Sequence, residues 1–418
     1  MNETNAMPEA AYESEEENFE DVYGEEDETV DDQATLNRFH RRDYSPWHHP
    51  VKQIVRSHQW AALTERFIQA RPQANASDVL TYFTLPGADL FDVQTLSNIC
   101  EPLGVKIKYF GFNSAFPDEE AGEGNDSSDA PWVTAESALR QAGRITSDAV
   151  VLSDRLEDIA NTTSQASLEL GKRPPFDIIN IDACDHLAYN PKGRPQSIFD
   201  ALQHLLGHQL RATSPWLLFI TTRVQPDLIG DPGSRFQQAI NENLSVTNSG
   251  FGAALADCLS LDEERLREEL SSCWDIHDER FLKLYTIGLG KYLLQFFHGQ
   301  PSLPANVELA SVYSYRVFGE QADMLALAFR VTPDPMRVFL PMTGGSFIIP
   351  DLEPRRATRV ARQAVKIQDL DKALAEDEDI REAAINGTVK LLEGARFDIA
   401  GWCEWLANHS QRPLVVSL

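Results

Sequence analysis

Residues 79–113 (VLTYFTLPGADLFDVQTLSNICEPLGVKIKYFGFN) restrict what this chain can fold into more than any other stretch. The apolar run Val79–Leu85 stops at Pro86-Gly87. Apolar residues then recur at helical spacing (Leu90, Val93, Leu96, Ile99), Gly104 closes that pattern, and a second apolar run covers Val105–Phe112. A helical period between two strand-length runs reads as strand, turn, helix, strand: one βαβ unit. Ligands of sheets built from such units bind beyond the carboxyl ends of the strands. That directs attention to the turn Pro86–Asp92 and to the tip Gly111–Asn113.

Five more strands follow by the same reasoning: Ala149–Leu152, Phe176–Ile181, Trp216–Val224, Leu309–Arg316 and Met324–Val331. The first five strands of the chain alternate with helical stretches, and the last two, joined through Gly319, are expected as an antiparallel closing pair. The expected class is α/β, a doubly wound, mostly parallel seven-stranded sheet with an antiparallel final strand. To it are added an N-terminal helix and a helical C-terminal extension, with helices at Arg355–Ala375, Asp379–Leu392 and Asp398–Ala407. The expected division is an acidic tail at 1–34, a basic and aromatic helical segment at 35–75, the sheet domain at 76–332 and helices at 333–418. An acidic Gly/Ser-rich insertion at 114–132 interrupts the sheet domain.

Charge matters chiefly for where it sits. Of the 418 residues, 1–34 hold fourteen Asp or Glu and no Lys or Arg, so the net charge of −27 falls to −13 for the rest. A segment of that composition buries too little apolar surface to fold alone and reads as a solvated, disordered tail. Tyr12, Phe19, Val22 and Tyr23 between the acids also give it the means to dock on a partner or a basic site. No apolar run approaches the ~20 residues of a membrane span. The five cysteines are scattered without a C-x-x-C pair, which argues against a structural zinc site or a disulfide framework. A cytoplasmic location is expected.

Polarity reverses at Arg38–Trp60, RFHRRDYSPWHHPVKQIVRSHQW. Pro50 suits the first turn of a helix, and Val51, Ile54, Val55, Leu63 and Phe67 then form an apolar face out to about Ala70. One reading is a helix that docks on the sheet domain. The other takes His48, His49, Lys52, Gln53 and Arg56 as a rim of donors for an anion, with residues 38–66 as a nucleic-acid or partner surface. In the C-terminal region Arg355, Arg356, Arg359 and Arg362 give one helix a basic start, either a solvated face or a phosphate-facing patch.

The densest polar cluster at an expected strand end is Asp182, Cys184, Asp185 and His186. There Asp182 can accept a proton, His186 can act as a general base near neutral pH, and Asp182 with Asp185 can hold a hard cation. A structural reading has Asp182 capping a turn, Cys184 packed and His186 exposed. Asp89 and Asp92 open the helix after the first strand, where acids cap and oppose the dipole. The turn carries no G-x-x-x-x-G-K-[ST], and neither G-x-S-x-G nor H-E-x-x-H occurs, so P-loop, hydrolase-elbow and zincin chemistries have no support.

The order of seven strands with a reversed last one resembles the class I S-adenosylmethionine-dependent methyltransferase (Rossmann) fold over residues 50–332, as a divergent member. The resemblance implies S-adenosylmethionine as cofactor. It would lie over Pro86, Gly87 and Asp89 at the first turn, Asn113 at the tip of the second strand and Asp154 after the third. Transfer to an acceptor would occur near Asp182, Asp185 and His186. This chain has one glycine in the first turn where the family usually has several, and Asn113 where an acid is usual. The same resemblance therefore also implies an alternative: a cofactor-free scaffold or interaction subunit of a protein or nucleic-acid complex. The WHHPVKQ helix followed by a Rossmann domain resembles uncharacterised bacterial proteins from defence gene clusters.

Overall fold

A computed structural model describes residues 41–71, 77–114, 132–189, 193, 195–246, 249–300, 304–334 and 352–409. The acidic tail, nearly all of the acidic insertion and the Pro/Gly-punctuated stretch 335–351 lie outside the described residues. Arg42–Leu418 form one compact unit, so the segments expected at 35–75 and 333–418 contribute layers to the same body as the sheet.

That sheet has eight strands in the order β3-β2-β1-β4-β5-β7-β6-β8. They are β1 (Val79–Thr84), β2 (Lys106–Phe112), β3 (Val150–Leu152), β4 (Ile178–His186), β5 (Trp216–Arg223), β6 (Ala305–Tyr315), β7 (Met324–Pro333) and β8 (Gln368–Asp369). Strands β1 to β5 pair in parallel, from Val79 beside Lys106 to Ile178 beside Leu217. Strand β7 runs antiparallel to β5 and to β6. The doubly wound sheet, its βαβ start and its reversed closing strand are as expected. The eighth strand is an addition: two residues pairing with the C-terminal end of β6, Tyr313 beside Gln368 and Ser314 beside Asp369.

Alternation along the strands divides the core. Phe83, Ile179, Ile181, Leu218, Ile220, Leu327 and Phe329 join one buried cluster, while Leu80, Tyr82, Ile178, Leu217, Phe219 and Ala328 join another. Strands so completely covered explain why the sequence shows continuous apolar runs. The second face is covered first by the N-terminal helix. This runs as α1 (Pro50–Ile54), passes through a π-helical stretch (Val55–Ala61) and resumes as α2 (Ala62–Gln69). α3 (Phe91–Cys100) and α4 (Val133–Gln141) complete that layer. On the first face lie α5 (Gln165–Gly171), α6 (Ile198–Gln209), α7 (Asp231–Leu244), α8 (Phe251–Leu259), α9 (Leu266–Asp275), α10 (Glu279–His298) and α11 (Glu353–Ala364).

Helix α10 is almost wholly buried, and its glycines let neighbours come close. A Cβ at Gly288 would lie 2.7 Å from Phe236 Cβ, and one at Gly290 2.6 Å from Val360 Cγ1. The single helix expected at Arg355–Ala375 is two, α11 and α12 (Leu370–Glu376), because the chain extends between them to pair with β6. α13 (Glu378–Gly394) and α14 (Ile399–His409) follow. Phe91, Leu391, Leu392, Phe397 and Trp402 make a third, smaller apolar cluster that seats them at the start of α3.

Candidate functional site

Strand order changes direction between β1 and β4, since β2 and β3 lie to one side of β1 and β5 to the other side of β4. Open α/β sheets take ligands in the crevice at such a point, beyond the carboxyl ends. At the end of β1 the chain turns through Pro86, whose ring lies over β2. A Cβ on Gly111 would come within 2.9 Å of Pro86 Cδ and 3.0 Å of Thr84 O. Asn113 holds this turn: its Nδ2 donates to Pro86 O at 2.8 Å, and its backbone N–H to Leu152 O at 3.0 Å. One residue thus ties the tips of β1, β2 and β3 together, through its side chain and its backbone.

Gly87, next in the turn, is exposed, and a Cβ there would meet no atom within 4 Å. Leu90 is fully buried in the left-handed region (φ 50°, ψ 37°), where a bulky residue is strained. The Gln94 side chain donates to Asp89 O at 2.7 Å and fixes the loop from below. Asp92 lies in the first turn of α3, where Leu90 is the N-cap residue, and its carboxylate interacts with the backbone N–H of Val93. It is buried and accepts hydrogen bonds from Tyr82 Oη at 2.9 Å and from Thr84 Oγ1, while Asn180 Nδ2 donates to Tyr82 Oη at 2.9 Å. Burial raises the Asp92 pKa, the two hydroxyl donors oppose that, and Asp182 adds to it.

Asp182 stands midway along β4, at the last residue before its register shift against β5, and forms an ion pair with Lys52, a residue of α1 only 2% exposed. The ammonium also lies 5.0 Å from the centre of the Trp60 ring. Thr221 of β5 is in register with Asp182 on one side and with Ala326 of β7 on the other. Over this spot the π-helical stretch sets Gln59, whose Nε2 donates to Ala326 O at 2.9 Å and to Ser311 Oγ at 3.2 Å. Four buried polar atoms of this group have no hydrogen-bond partner among the described residues: Gln59 Oε1, Trp60 Nε1, Asn180 Oδ1 and Thr221 Oγ1. Such atoms are costly unless something satisfies them, and π-helical turns recur at functional sites.

Asp185 and His186 are turned to a different neighbourhood. The Asp185 carboxylate accepts from the backbone N–H of His186 at 2.7 Å. Between Asp182 and His186 the register of β4 shifts, and His186 comes beside Arg223. Burial lowers the His186 pKa, with Asp185 acting the other way and Arg223 in the same direction. Its charged surroundings are Asp185, Arg223 and Asp227, so the structure does not assemble Asp182, Asp185 and His186 into one constellation. Among the described residues no group of three or more His, Cys, Asp or Glu is placed to hold a metal. Asp154 lies just beyond β3, its pKa raised by burial and then by Asp158.

The proposed rim of donors on the N-terminal segment is internal instead. His48 is buried, its Nδ1 accepts from Ser45 N at 2.9 Å, and its carbonyl accepts from Trp402 Nε1 at 3.1 Å. His49 caps α1 through Nδ1, which accepts from Val51 N at 3.2 Å, and burial pulls its pKa down to about 4. Gln53 is buried against Gly387 of α13. Arg56 is buried, donates to Trp47 O at 3.0 Å and lies over the Phe91 ring. These polar groups fasten the helix to the sheet and to α13 and α14, which is why they sit under apolar neighbours. Sequence reasoning missed Tyr82, Asn180 and Thr221, and placed Asp92 at the helix start without its two hydroxyl partners. The available signal was a polar residue inside an otherwise apolar strand or helix face, as in IINIDA and LFDVQTL.

Fold and site together define an α/β, Rossmann-like protein whose switch-point crevice is lined by buried polar side chains. A family model described as PP_RS20740-like matches residues 41–407. The chain therefore belongs to the PP_RS20740-like family. No curated protein matches it.

Proposed function

We propose that the chain is a methyltransferase-like protein that takes S-adenosylmethionine at the switch point between β1 and β4. The observation that carries this reading is the open flank of Gly87, at the turn where a strand order 3-2-1-4-5-7-6 with a reversed β7 receives its ligand. The unpartnered Asn180 and Thr221 oxygens one strand over supply acceptors that a polar guest would satisfy. Pro86, Gly87, Asp89, Asn113 and Asp154 would hold the cofactor, which supplies an electrophilic methyl group when bound. The rest of the work is positioning. Lys52 fixes the Asp182 carboxylate, Asn113 fixes the turn, and the π-helical stretch keeps bulk water from this part of β4.

The Lys52–Asp182 pair also favours a second reading. A buried lysine from the N-terminal helix pairs with Asp182 of β4, where an acceptor would sit, as in a scaffold that has filled its own crevice and serves a protein or nucleic-acid assembly. Calorimetric titration of S-adenosylmethionine and S-adenosylhomocysteine into the full chain, with Gly87→Trp as control, separates the two. Micromolar binding that the substitution abolishes is expected for the cofactor reading. Absence of heat with both ligands, in a sample that melts cooperatively, refutes it and leaves the scaffold. Gly87→Trp suits the purpose because nothing surrounds that position, so the fold tolerates the ring.

A further inference from the structure

A second concave site lies away from the crevice, where α2, the first half of β6 and α11 meet. It encloses about 510 Å³, within the range of small-molecule pockets. Arg66 of α2, Arg330 of β7, and Arg359 and Arg362 of α11 all line it. Arg66 Nε donates to Ala62 O in its own helix at 3.0 Å. None of the four has an ion-pair partner among the described residues, and the one acid in the lining, Glu308, accepts from Asn306 Nδ2 at 3.0 Å. Neighbouring cations of α11 and α10 are satisfied: Arg356 makes a two-pronged pair with Asp334 at 2.8 and 2.9 Å, and Lys291 pairs with Glu353.

This chain carries a net charge of −27. Acids are therefore abundant, and four guanidinium groups that share a single hollow with one acid, Glu308, stand out against that background. Three separate elements supply them, so the cluster does not follow from the pattern of one helix. The floor is apolar, with Leu63, Phe67, Leu309 and Val360. Among the described residues β8 pairs with this side of β6 only at Tyr313 and Ser314, and a register shift between Leu309 and Ser311 bends the strand beside the hollow. Guanidinium forks match phosphate oxygens two at a time, and an apolar floor with an aromatic ring suits the flat face of a base.

We propose that this hollow binds a nucleoside polyphosphate, its phosphates on Arg66, Arg330, Arg359 and Arg362 and its base over Phe67. The site is separate from the switch-point crevice, and the inference stands whether or not a cofactor binds there. The test is equilibrium titration of adenosine triphosphate into the full chain. Inorganic tripolyphosphate, adenosine and single-stranded oligonucleotides of increasing length are run as further probes, with melting curves to verify folding. All four arginines are exposed, so Arg359→Ala/Arg362→Ala leaves the core untouched. Expected are saturable one-to-one binding, weakening with added salt, competition by tripolyphosphate, and a loss of about tenfold or more per arginine removed. Gly87→Trp should bind the nucleotide as the wild type does. Equal affinity in the double variant, or binding lost in Gly87→Trp instead, overturns the assignment. So does affinity that climbs with oligonucleotide length, which would make the hollow part of a nucleic-acid track.

Discussion

Removing the Lys52 ammonium tests whether the switch point is an organised interior or a wetted surface. The Lys52 side chain is 3% exposed and that of Asp182 18%. Breaking a buried pair by deleting one member costs about 3–5 kcal/mol, because the remaining charge is left uncompensated. Asp182 retains some contact with solvent, so Lys52→Met should fall at the low end, about 3 kcal/mol. Its loss is compounded by Asp92, whose charged form Asp182 already opposes; without the ammonium, two carboxylates face one another. For a unit of this size each kcal/mol shifts the melting point by roughly 2 °C, so the variant should melt roughly 6 °C lower. Urea unfolding followed by tryptophan fluorescence gives the free energy directly. Replacing both members, Lys52→Met with Asp182→Asn, should cost about 1 kcal/mol, about 2 kcal/mol less than Lys52→Met alone. A single variant within about 0.5 kcal/mol of wild type would place the pair among solvated surface pairs, and the argument for a closed crevice would fail.

Two titrating groups should leave opposite signatures in stability against pH. Burial raises the Asp92 pKa, so the stabilisation tied to its neutral form is complete below the unfolded carboxylate pKa and is lost as pH rises through the folded value. Asp92→Asn keeps an oxygen for Tyr82 and Thr84 and removes that loss. Melting curves should show the variant gaining on wild type as pH is raised; an unchanged difference at every pH would refute it. His49 goes the other way, its pKa lowered from 6.5 to about 4. Its contribution is complete above 6.5 and is lost as pH falls towards about 4. His49→Asn, which can still cap α1, should flatten that acid limb, and an acid limb as steep as wild type would count against the assignment.

The sheet was legible because strands buried on both faces are mainly apolar, and in Val79–Leu85, Phe176–Ile181 and Trp216–Val224 apolar residues outnumber the polar ones. Asn180 shows the limit of that clarity. It sits directly after Ile178 and Ile179, and only the fold reveals that its amide is directed at Tyr82 Oη. The break between α11 and α12 was hidden for a related reason. Val365-Lys366-Ile367 contains no Gly or Pro, and the chain leaves the helix there because β6 offers an edge, which is a tertiary fact. Lys52 and Asp182 are 130 residues apart. Periodicity assigned the lysine to the polar side of an amphipathic helix, and that assignment failed because the π-helical stretch and α13 bury both sides.

The two ends of the sheet now make different demands on their surroundings. At the carboxyl ends of β1, β4 and β5, polar groups of both signs are drawn inward and paired, Lys52 with Asp182 and Asp92 with two hydroxyls. At the opposite end, Leu217 at the start of β5 and Arg330 near the end of β7 border a hollow whose guanidinium groups have no ion-pair partner among the described residues. Stability explains most of the first arrangement, since pairing leaves only Gln59 Oε1, Trp60 Nε1, Asn180 Oδ1 and Thr221 Oγ1 for a guest to meet. It does not explain the second, because four like charges around one concavity repel one another, and an acid at any of several nearby positions would relieve them. Selection for the fold would favour that relief, so these arginines are the stronger argument that the chain recognises something outside itself.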